Sequence, residues 1–373
     1  MRPLLKDQLF NEKKISKIAS EIGGVYEEFD VDGFCRDSLE KFPFLELKER
    51  IYHIRDMLYR YLPSDYREAV GVLVASLPDR LDESRGDGDF GNFIYAPYGE
   101  FVALYGCSDE DVEFSLGVLA EFTMRFSMEF AIREFIDRYP SQTLQVLAKS
   151  ALSSNYHQRR WASEALRPKL PWAKRLRLEY TKALPILDML YSDKKRYVTR
   201  SVANHINDIS KIDTKLAIDT LKRWRDSGRQ STKEMEYITT HSLRTAIKEG
   251  DVDALNLLGY KKDADIKVSE ILLDSHHISM GDYLKFGCTI ESNEDTKLII
   301  DYILHYQTKH KKLTTKVHRL KKIELSRGDT VTLSKRHLFR ANMTTRKIYE
   351  GLHRVEIQIN GKIYGDGEEF FII

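Results

Sequence analysis

The strongest constraint on the fold is a helical periodicity of apolar residues that runs from Gln8 to about Leu258. Apolar residues three and four positions apart form one face of a helix, and turn-forming residues interrupt the pattern about every ten to eighteen residues. Leu45–Leu62 and Asp65–Leu77 are examples, the second with Ser64 in a position to cap it. The pattern predicts a segment built from short amphipathic helices.

The predicted helices form pairs that follow one another along the chain. Successive pairs begin about 30 to 40 residues apart, near the period of HEAT-like repeats built from two helices. One pair cannot bury its apolar face alone, so neighbouring pairs must stack into an α-α superhelical solenoid with a concave surface. The predicted pairs are Asp109–Phe122 with Met128–Tyr139, Pro140–Leu152 with His157–Leu166, Lys174–Leu190 with Lys195–Ile209, and Thr214–Arg225 with Thr232–Lys248.

A different pattern begins at Ile266. Short runs of alternating apolar and polar residues, such as YLKFGCTI and HRVEIQING, predict about seven strands and a small β-sandwich. Asn360 and Gly361 predict a tight hairpin, whose turn needs positive φ at both positions. We therefore expect a mainly α protein, with a HEAT-like repeat domain over residues 1–258 and an all-β sandwich over residues 259–373. Within the helical part, the glycine-rich and acidic stretch Pro78–Pro97 predicts a long, mobile loop.

Charge is unevenly distributed, although the formal net charge is only +2. Residues 1–148 contain 17 Lys and Arg against 28 Asp and Glu, residues 149–229 contain 19 against 8, and residues 230–373 contain 23 against 21. A basic block next to an acidic segment predicts electrostatic contact with a polyanion. Solvated helix faces that bind nothing are the alternative.

Several classes of protein are not favoured by the sequence. The absence of an apolar stretch of signal-peptide length, and of any run of about 18 apolar residues, predicts a cytoplasmic protein. Cys35, Cys107 and Cys288 lie far apart without neighbours at metal-ligand spacing, so we interpret them as reduced thiols. The sequence has no glycine-rich phosphate loop, metal-ligand cluster or nucleophile elbow. We expect no metal or cofactor, and any chemistry must use carboxylates, aromatic residues and arginines.

Three segments concentrate these residue types, and each is predicted to lie on the second helix of a pair. They are RFSMEFAIREFI (125–136), HQRRWASEALRPKLPW (157–172) and RSVANHINDISK (200–211). The second helices of HEAT-like repeats generally line the concave face, which would bring Glu129, Glu164 and Asp208 into one groove. Carboxylates among basic and aromatic side chains suit the stabilisation of a cation better than metal binding.

The middle segment combines phosphate-binding donors with flat aromatic surfaces. Pro168 and Pro171 predict that the helix ends near Leu166, which leaves Trp172 on or after a turn. Trp172 and Trp161 are candidates to cover a sugar or a base. The candidate phosphate-binding residues of this segment are Arg159, Arg160, Arg167 and Lys169.

Each of these candidates also has a purely structural alternative. Glu164 has Arg160 four residues before it and Arg167 three residues after it, so it could form ion pairs on its own helix. Asp208 could be a surface or interhelical polar group, as could Asn204 and Asn207. Trp161 could belong to the core.

The same segments resemble the AlkC-type DNA alkylation repair glycosylases of the HEAT-like repeat superfamily, in the form with a C-terminal immunoglobulin-like domain. The matching stretches are EFAIREFI, RRWASEALRPKLPWAKRL, SVANHINDISK and, in the β region, KVHRLKKIELSRGDTVTLSKRHLFRANMTTRKIYEGLHRVEIQINGK. The resemblance extends over the chain from about residue 95. The chain departs from the family pattern at Glu134, where a proline is expected, and at Trp161, where a leucine or valine is expected.

The resemblance implies a monofunctional DNA glycosylase of base excision repair that uses no metal or organic cofactor. The expected substrate is duplex DNA with N3-methylated bases, chiefly 3-methyladenine, with 3-methylcytosine as a second candidate. Methylation makes the base cationic and a good leaving group, so excision without deep base flipping is expected. A monomer with no membrane partner, nucleoid-associated when bound to DNA, is also expected.

The resemblance implies roles for individual residues as well. Glu129 and Glu164 would stabilise an oxocarbenium-like sugar and direct water to its anomeric carbon, with Asp208 as the third candidate. Trp172 would stack beside the sugar or the lesion. Phosphates around the lesion would be held by Arg159, Arg160, Arg167, Lys169, Arg200 and Lys211.

The sequence leaves two other functions open. A non-catalytic protein that binds DNA damage would keep the groove without the reaction, and a helical-repeat scaffold would bind proteins. Basic runs in the β region, Lys309–Lys312, Lys321–Lys322 and Lys335–His337, are candidates for gripping and bending DNA. A cap on the last helical repeat is the structural alternative for this region.

Overall fold

The structure is a computed structural model that describes residues 4–81, 91–340 and 347–373. A helical region is followed by a β-sandwich, as predicted. The helices are α1 (Leu5–Leu9), α2 (Glu12–Gly23), α3 (Val31–Glu40), α4 (Leu47–Tyr61), α5 (Tyr66–Ala75), α6 (Ala96–Tyr105), α7 (Val112–Phe122), α8 (Ile132–Arg138), α9 (Pro140–Ala151), α10 (Tyr156–Glu164), α11 (Leu184–Leu190), α12 (Arg196–Ser210), α13 (Thr214–Asp226), α14 (Thr232–Ser242), α15 (Arg244–Glu249) and α16 (Val252–Leu257). No helix in these ranges is long and apolar enough to span a membrane.

The helical periodicity located most helices to within a few residues. α4 and α5 lie where Leu45–Leu62 and Asp65–Leu77 were expected. The cap of α5 is Asp65 instead of Ser64, because the Asp65 carboxylate accepts a hydrogen bond from the backbone N–H of Glu68 at 2.9 Å. A carboxylate at a helix N-terminus also interacts favourably with the helix dipole.

One helix begins later than expected, and this matters for the site. The sequence predicts a helix over Met128–Tyr139, whereas α8 starts at Ile132 and Glu129 lies in the turn before it. The chain that leads into this turn makes tertiary backbone hydrogen bonds, for example from the N–H of Asn92 to the carbonyl of Arg125 at 2.8 Å. Such contacts override the weak local preference for a helix.

Two other predicted segments need correction or lie partly outside the structure. The helix expected over Lys174–Leu190 is only α11, preceded by a 3₁₀ turn at Tyr180–Ala183. The backbone N–H of Arg177 donates to the side chain of Asp137 at 3.0 Å instead of to a helical carbonyl. Of the loop expected over Pro78–Pro97, residues 82–90 lie outside the described residues.

The chain divides into two compact units. One consists of Met1–Ile209 with Trp224–His241, and the other of Ser210–Arg223 with Ser242–Ile373. The change from helix to strand falls between the end of α16 and residue 266, and a domain boundary at residues 258/259 stays a prediction. The three cysteines are free thiols, as expected, and Cys107 and Cys288 are buried.

The β region of the second unit contains two sheets. Its described strands are β1 (Ile266–Val268), β2 (Leu272–Leu273), β3 (His277–Ile278), β4 (Tyr283–Ser292), β5 (Thr296–Gln307), β6 (Leu313–Leu325), β7 (Thr330–Leu338), β8 (Gly351–Ile359) and β9 (Lys362–Ile372). In one sheet β1, β2 and β7 pair with β4; the other has the order β3-β9-β8-β5-β6. Inward residues such as Phe286, Ile300 and Ile357 form one apolar core.

β6 is the longest of the described strands. It lies at the edge of its sheet, is half exposed and shows little alternation between buried and exposed residues. Lys316, Arg319, Lys321 and Lys322 lie along it, and charged side chains are a common means of preventing edge strands from pairing with other chains. Strong alternation, which reveals half-buried strands, is therefore absent here.

The Asn360-Gly361 hairpin is confirmed. Both residues have positive φ, +47° and +80°, and they join β8 to β9. The Asn360 side chain accepts from the N–H of Ile299 at 2.8 Å and donates to the carbonyl of Lys261 at 2.6 Å. The turn is thus fixed from two directions within the second unit.

Gly361→Ala is expected to destabilise the protein more than Gly365→Ala. Both glycines have positive φ, but a methyl group at Gly361 would overlap the backbone of Gly250, whereas one at Gly365 would meet no atom within 4 Å. We expect losses in unfolding free energy of roughly 2–4 kcal/mol and about 1 kcal/mol, respectively. Urea unfolding followed by circular dichroism measures both; equal losses would contradict the packing of Gly361 on Gly250.

Candidate active site

A buried network of alternating charges joins the three predicted segments. Arg160 forms ion pairs with Glu129 and with Glu164, the latter at 3.6 Å from Nη2 to Oε1. Arg167 donates from Nη1 to the same Glu164 oxygen at 2.5 Å and from Nε to Oδ2 of Asp208 at 3.0 Å. The five side chains are between 2% and 13% exposed. The structure therefore brings the three predicted carboxylates into one cluster.

Charge balance decides the ionisation of this cluster. Burial alone would raise the pKa of Glu164, but Arg160, Arg167 and a hydrogen bond from the Ser201 hydroxyl at 2.5 Å hold it below its ordinary value. Burial likewise opposes the charge of Arg160, yet Glu129 and Glu164 outweigh it and raise the pKa of Arg160. With all five groups ionised, three carboxylates face two guanidinium groups, and the network carries one excess negative charge.

Glu129 differs from Glu164 because one of its oxygens is open. Its Oε2 accepts from the Ser127 hydroxyl and from Arg160. Its Oε1 accepts no hydrogen bond from any residue in the described ranges. Glu164 uses both oxygens, one for Arg167 and the other for Ser201. Glu129 is therefore the carboxylate best able to contact a sugar or a water molecule.

Glu129 and Glu164 line a cavity of about 530 Å³ in the first unit. Asp208 does not line it; it is 1% exposed and contacts Arg167. Aromatic rings make up much of the wall, which combines Phe93, Phe126, Phe130, Trp172 and Tyr197 with Arg160, Arg167, Arg200, Ser201 and Asn204. The guanidinium of Arg160 lies 5.3 Å from the centre of the Tyr197 ring. Flat apolar surfaces beside a carboxylate suit a sugar or base with cationic character.

The two tryptophan candidates have opposite environments. Trp172 lies in the loop after α10, is 64% exposed and has a φ of +66°. Trp161 is fully buried on α10. A stacking role for Trp161 is therefore corrected, because its ring cannot reach a ligand without unfolding the helix, while Trp172 remains a candidate.

Three of the predicted phosphate-binding residues are already engaged inside the protein. Arg159 contacts both oxygens of Asp193, at 2.5 Å and 3.2 Å, and Arg160 and Arg167 belong to the charge network. Their assignment to phosphates is not favoured, since each of them already pairs with a carboxylate of the chain. For the other three candidates it stays a prediction: Lys169 and Lys211 are exposed, and Arg200 lines the cavity, with Lys211 in the second unit.

Sequence reasoning missed several residues of the site. Ser127 and Ser201 lie within the segments that were singled out, so their hydroxyl groups could have been noticed as partners for nearby carboxylates. Phe93 lies outside these segments and gives no local signal. The ion pairs of Glu164 with Arg160 and Arg167, which were the structural alternative, are present, although Arg167 lies beyond the end of α10, and they coexist with the place of Glu164 in the cavity wall.

Comparison with known proteins places the chain in a family. The family model described as "Uncharacterised protein YhaZ, C-terminal Ig-like domain" matches residues 267–371. YhaZ of Bacillus subtilis (strain 168) is 31% identical over 360 residues, which cover 95% of this chain and 96% of YhaZ. This chain belongs to the YhaZ family.

One solved structure matches this YhaZ family member over its whole length. It is the Pseudomonas fluorescens alkylpurine DNA glycosylase AlkC bound to DNA containing an abasic site analog, with a TM-score of 0.88, 31% identity and 100% of both chains covered. The resemblance to AlkC-type proteins is therefore confirmed, as is the fold of a helical region followed by an immunoglobulin-like sandwich.

Glu164→Gln is expected to destabilise the protein in a pH-dependent manner. Removing this buried charge takes from Arg160 and Arg167 the carboxylate that they share and leaves each with one carboxylate partner, which should lower the unfolding free energy by roughly 3 kcal/mol. Because the folded-state pKa of Glu164 is depressed, its contribution is present above the unfolded pKa of about 4.3 and is lost as the pH falls through the folded pKa. The difference from wild type, measured by urea unfolding, should be constant between about pH 5 and 8 and should narrow below about pH 4. A difference that widens in acid would contradict this assignment.

Proposed function

We propose that this YhaZ family member is a monofunctional DNA glycosylase that excises N3-methylated bases from duplex DNA, chiefly 3-methyladenine, with 3-methylcytosine as a second substrate. The observation that carries the proposal is the carboxylate of Glu129, with one oxygen held and the other open, in an aromatic-lined cavity. The full-length similarity to AlkC, an alkylpurine DNA glycosylase, supports it. The reaction is hydrolysis of the N-glycosidic bond, the first step of base excision repair.

The substrate itself supplies much of the driving force. Methylation at N3 gives adenine a positive charge, so the electron pair of the C1′–N9 bond can leave with the base, which becomes neutral. The deoxyribose becomes an oxocarbenium ion, water adds to C1′, and one proton is released. A buried acid to protonate the base is unnecessary, and what the protein must supply is stabilisation of the sugar cation and a base for the water.

Glu129 is assigned both tasks. Its held oxygen fixes the carboxylate through Ser127 and Arg160, while Oε1 accepts the proton of the attacking water. The excess negative charge of the network stabilises the sugar cation, and this effect is strengthened because the charged side chains of the network are largely buried. Trp172 stacks beside the sugar or lesion, where the face of an indole favours positive charge.

Glu164 and Asp208 are assigned supporting roles. Each holds a guanidinium of the network: Glu164 contacts Arg160 and Arg167, and Asp208 contacts Arg167. Without Glu164 the position of Arg160, and through it of Glu129, would no longer be fixed. We rank the three carboxylates in the order Glu129, Glu164, Asp208 for direct effect on the reaction.

DNA binding is assigned to the basic block at residues 149–229. Of its predicted phosphate contacts, Arg200 at the cavity and the exposed Lys169 and Lys211 are kept. A duplex that Arg200 holds at the cavity would place one nucleotide of the backbone near Glu129, which lines the same cavity. Because each neutralised phosphate releases counterions, binding should depend steeply on salt.

Base release tests the function directly. Free base released from methylated duplex DNA is separated by chromatography and identified by mass for wild type, Glu129→Gln, Glu164→Gln, Asp208→Asn and Trp172→Ala. Wild type should release 3-methyladenine, and Glu129→Gln should be slower by ~10²-fold or more while still binding DNA, since it loses a transition-state interaction. Glu113→Gln, on the exposed side of α7, is the matched control and should retain wild-type activity.

Each outcome decides between functions. No release by folded wild type that binds damaged DNA would overturn the glycosylase and leave a non-catalytic damage-binding protein. If wild type does not bind DNA at low salt, both the glycosylase and the damage-binding function are excluded, and a scaffold that binds proteins is left. Release with Glu129→Gln unaffected and Asp208→Asn inactive would contradict the ranking of the carboxylates.

Arg200→Ala should weaken DNA binding in a salt-dependent way. Loss of one phosphate contact should reduce the slope of log K against log salt concentration by about one and should weaken binding to all sequences alike. Lys13→Ala, an exposed cation on α2, serves as the control. Fluorescence anisotropy of a labelled duplex between about 50 and 200 mM salt measures both; an unchanged slope for Arg200→Ala would contradict the contact.

A further inference from the structure

The buried guanidinium group of Arg133 contacts both ends of residues 165–174, the loop that carries Trp172. Arg133 lies in the first turn of α8 and is 1% exposed. Its Nη1 donates to the carbonyl oxygens of Ala165 at 3.0 Å and Arg167 at 3.1 Å, and its Nε donates to that of Lys174 at 2.8 Å. The acceptors lie at both ends of the loop. This one side chain therefore fixes where the loop begins and where it ends.

Between these ends the loop adopts a conformation that its sequence alone does not favour. Trp172 has a φ of +66°, in the left-handed region that residues with a side chain rarely adopt. Such strain persists only where the surrounding structure determines it. Lys48 donates to the carbonyl of Trp172, and Lys174 forms ion pairs with Glu134 at 2.8 Å and Asp137 at 3.1 Å.

The exposed ion pair between Lys174 and Glu134 restrains the loop less strongly than the buried Arg133 does. Lys174 is 38% exposed and Glu134 48% exposed at the side chain, so solvent screens their attraction. Arg133 is shielded from water, and burial lowers its pKa only to about 10, so it remains charged at neutral pH. Hydrogen bonds from a charged donor are roughly twice as strong as neutral ones.

We propose that Arg133 is a positioning residue, which holds Trp172 at the cavity by tying both ends of its loop to α8. The proposal rests on the glycosylase function proposed above. Arg133 is not among the residues that line the cavity, so its effect on the reaction passes through the loop and Trp172. No role for Arg133 follows from sequence alone, because its acceptors are carbonyl groups 32 to 41 residues away.

A double-mutant cycle tests whether Arg133 acts through Trp172. Single-turnover base release is measured for wild type, Arg133→Gln, Trp172→Ala and the double variant, at saturating protein. Arg133→Gln should slow release about tenfold or more when Trp172 is present, since a misplacement of about 1 Å can cost 10²-fold. In the Trp172→Ala background the same substitution should change the rate by less than about twofold. Equal losses in both backgrounds would overturn the proposal.

A second measurement does not depend on glycosylase activity. Limited trypsin digestion with peptides identified by mass should show faster cleavage after Lys169 and Lys174 in Arg133→Gln than in wild type, because local opening exposes the loop. Arg50→Gln is the matched control. Arg50 is 3% exposed and donates to the carbonyl oxygens of Lys6, Phe10 and Phe42, remote in sequence from this loop.

The two measurements separate the possible failures. If wild type releases no base, the proposed function fails, and the digestion alone decides whether Arg133 anchors the loop. If the loop of Arg133→Gln is no more susceptible than that of Arg50→Gln, the anchoring fails even when wild type is active. Arg133→Lys, which keeps the charge with fewer donor directions, should lie between wild type and Arg133→Gln in both assays.

Discussion

The candidate site depends on the balance of charge between three carboxylates and two guanidinium groups that the fold removes from water. Neither the carboxylates nor the guanidinium groups could be buried without the other, because the cost of desolvating an isolated charge is far greater than the stability of a domain. Paired, the groups retain their charges, and each fixes the direction of the next. Glu164 is the centre of this arrangement, with Arg160 on one side and Arg167 on the other.

The same balance explains how one carboxylate remains available for chemistry. Arg160 holds Glu129 by one oxygen and leaves the other without a partner among the described residues. Arg167 links the network to Asp208 through its side chain and to Arg133 through its carbonyl. Arg167 therefore connects the charge cluster to the loop that carries Trp172, and a change in either should affect the other.

Much of the fold followed from sequence because it depends on local patterns. Helical periodicity located helices such as α4 and α12, and Asn360-Gly361 specified its hairpin through a backbone conformation that those residues readily adopt. The edge strand β6 gives only a weak sequence signal because it is charged and lacks alternation. The turn at Glu129 could not be predicted because tertiary hydrogen bonds, not local preference, set the start of α8.

The site was predictable only in part, for a related reason. Sequence spacing suggests that Glu164 can meet Arg160 and Arg167, but it cannot show that Arg160 also pairs with Glu129 in a distant turn and Arg167 with Asp208 on α12. Arginine-rich composition therefore does not show which of these side chains contact phosphates. The full burial of Trp161 and the exposure of Trp172 likewise follow from how the helices pack and where α10 ends.

We propose that the cavity stabilises a sugar cation through Glu129 and its network. The most direct test compares the affinity of wild type for two duplexes, one with a neutral tetrahydrofuran abasic site and one with a pyrrolidine analogue that carries a positive charge at the anomeric position. Wild type should bind the cationic duplex at least about tenfold more tightly, and Glu129→Gln should lose that preference, because transition-state mimics bind more tightly than neutral analogues. Equal affinity of wild type for both duplexes would contradict it.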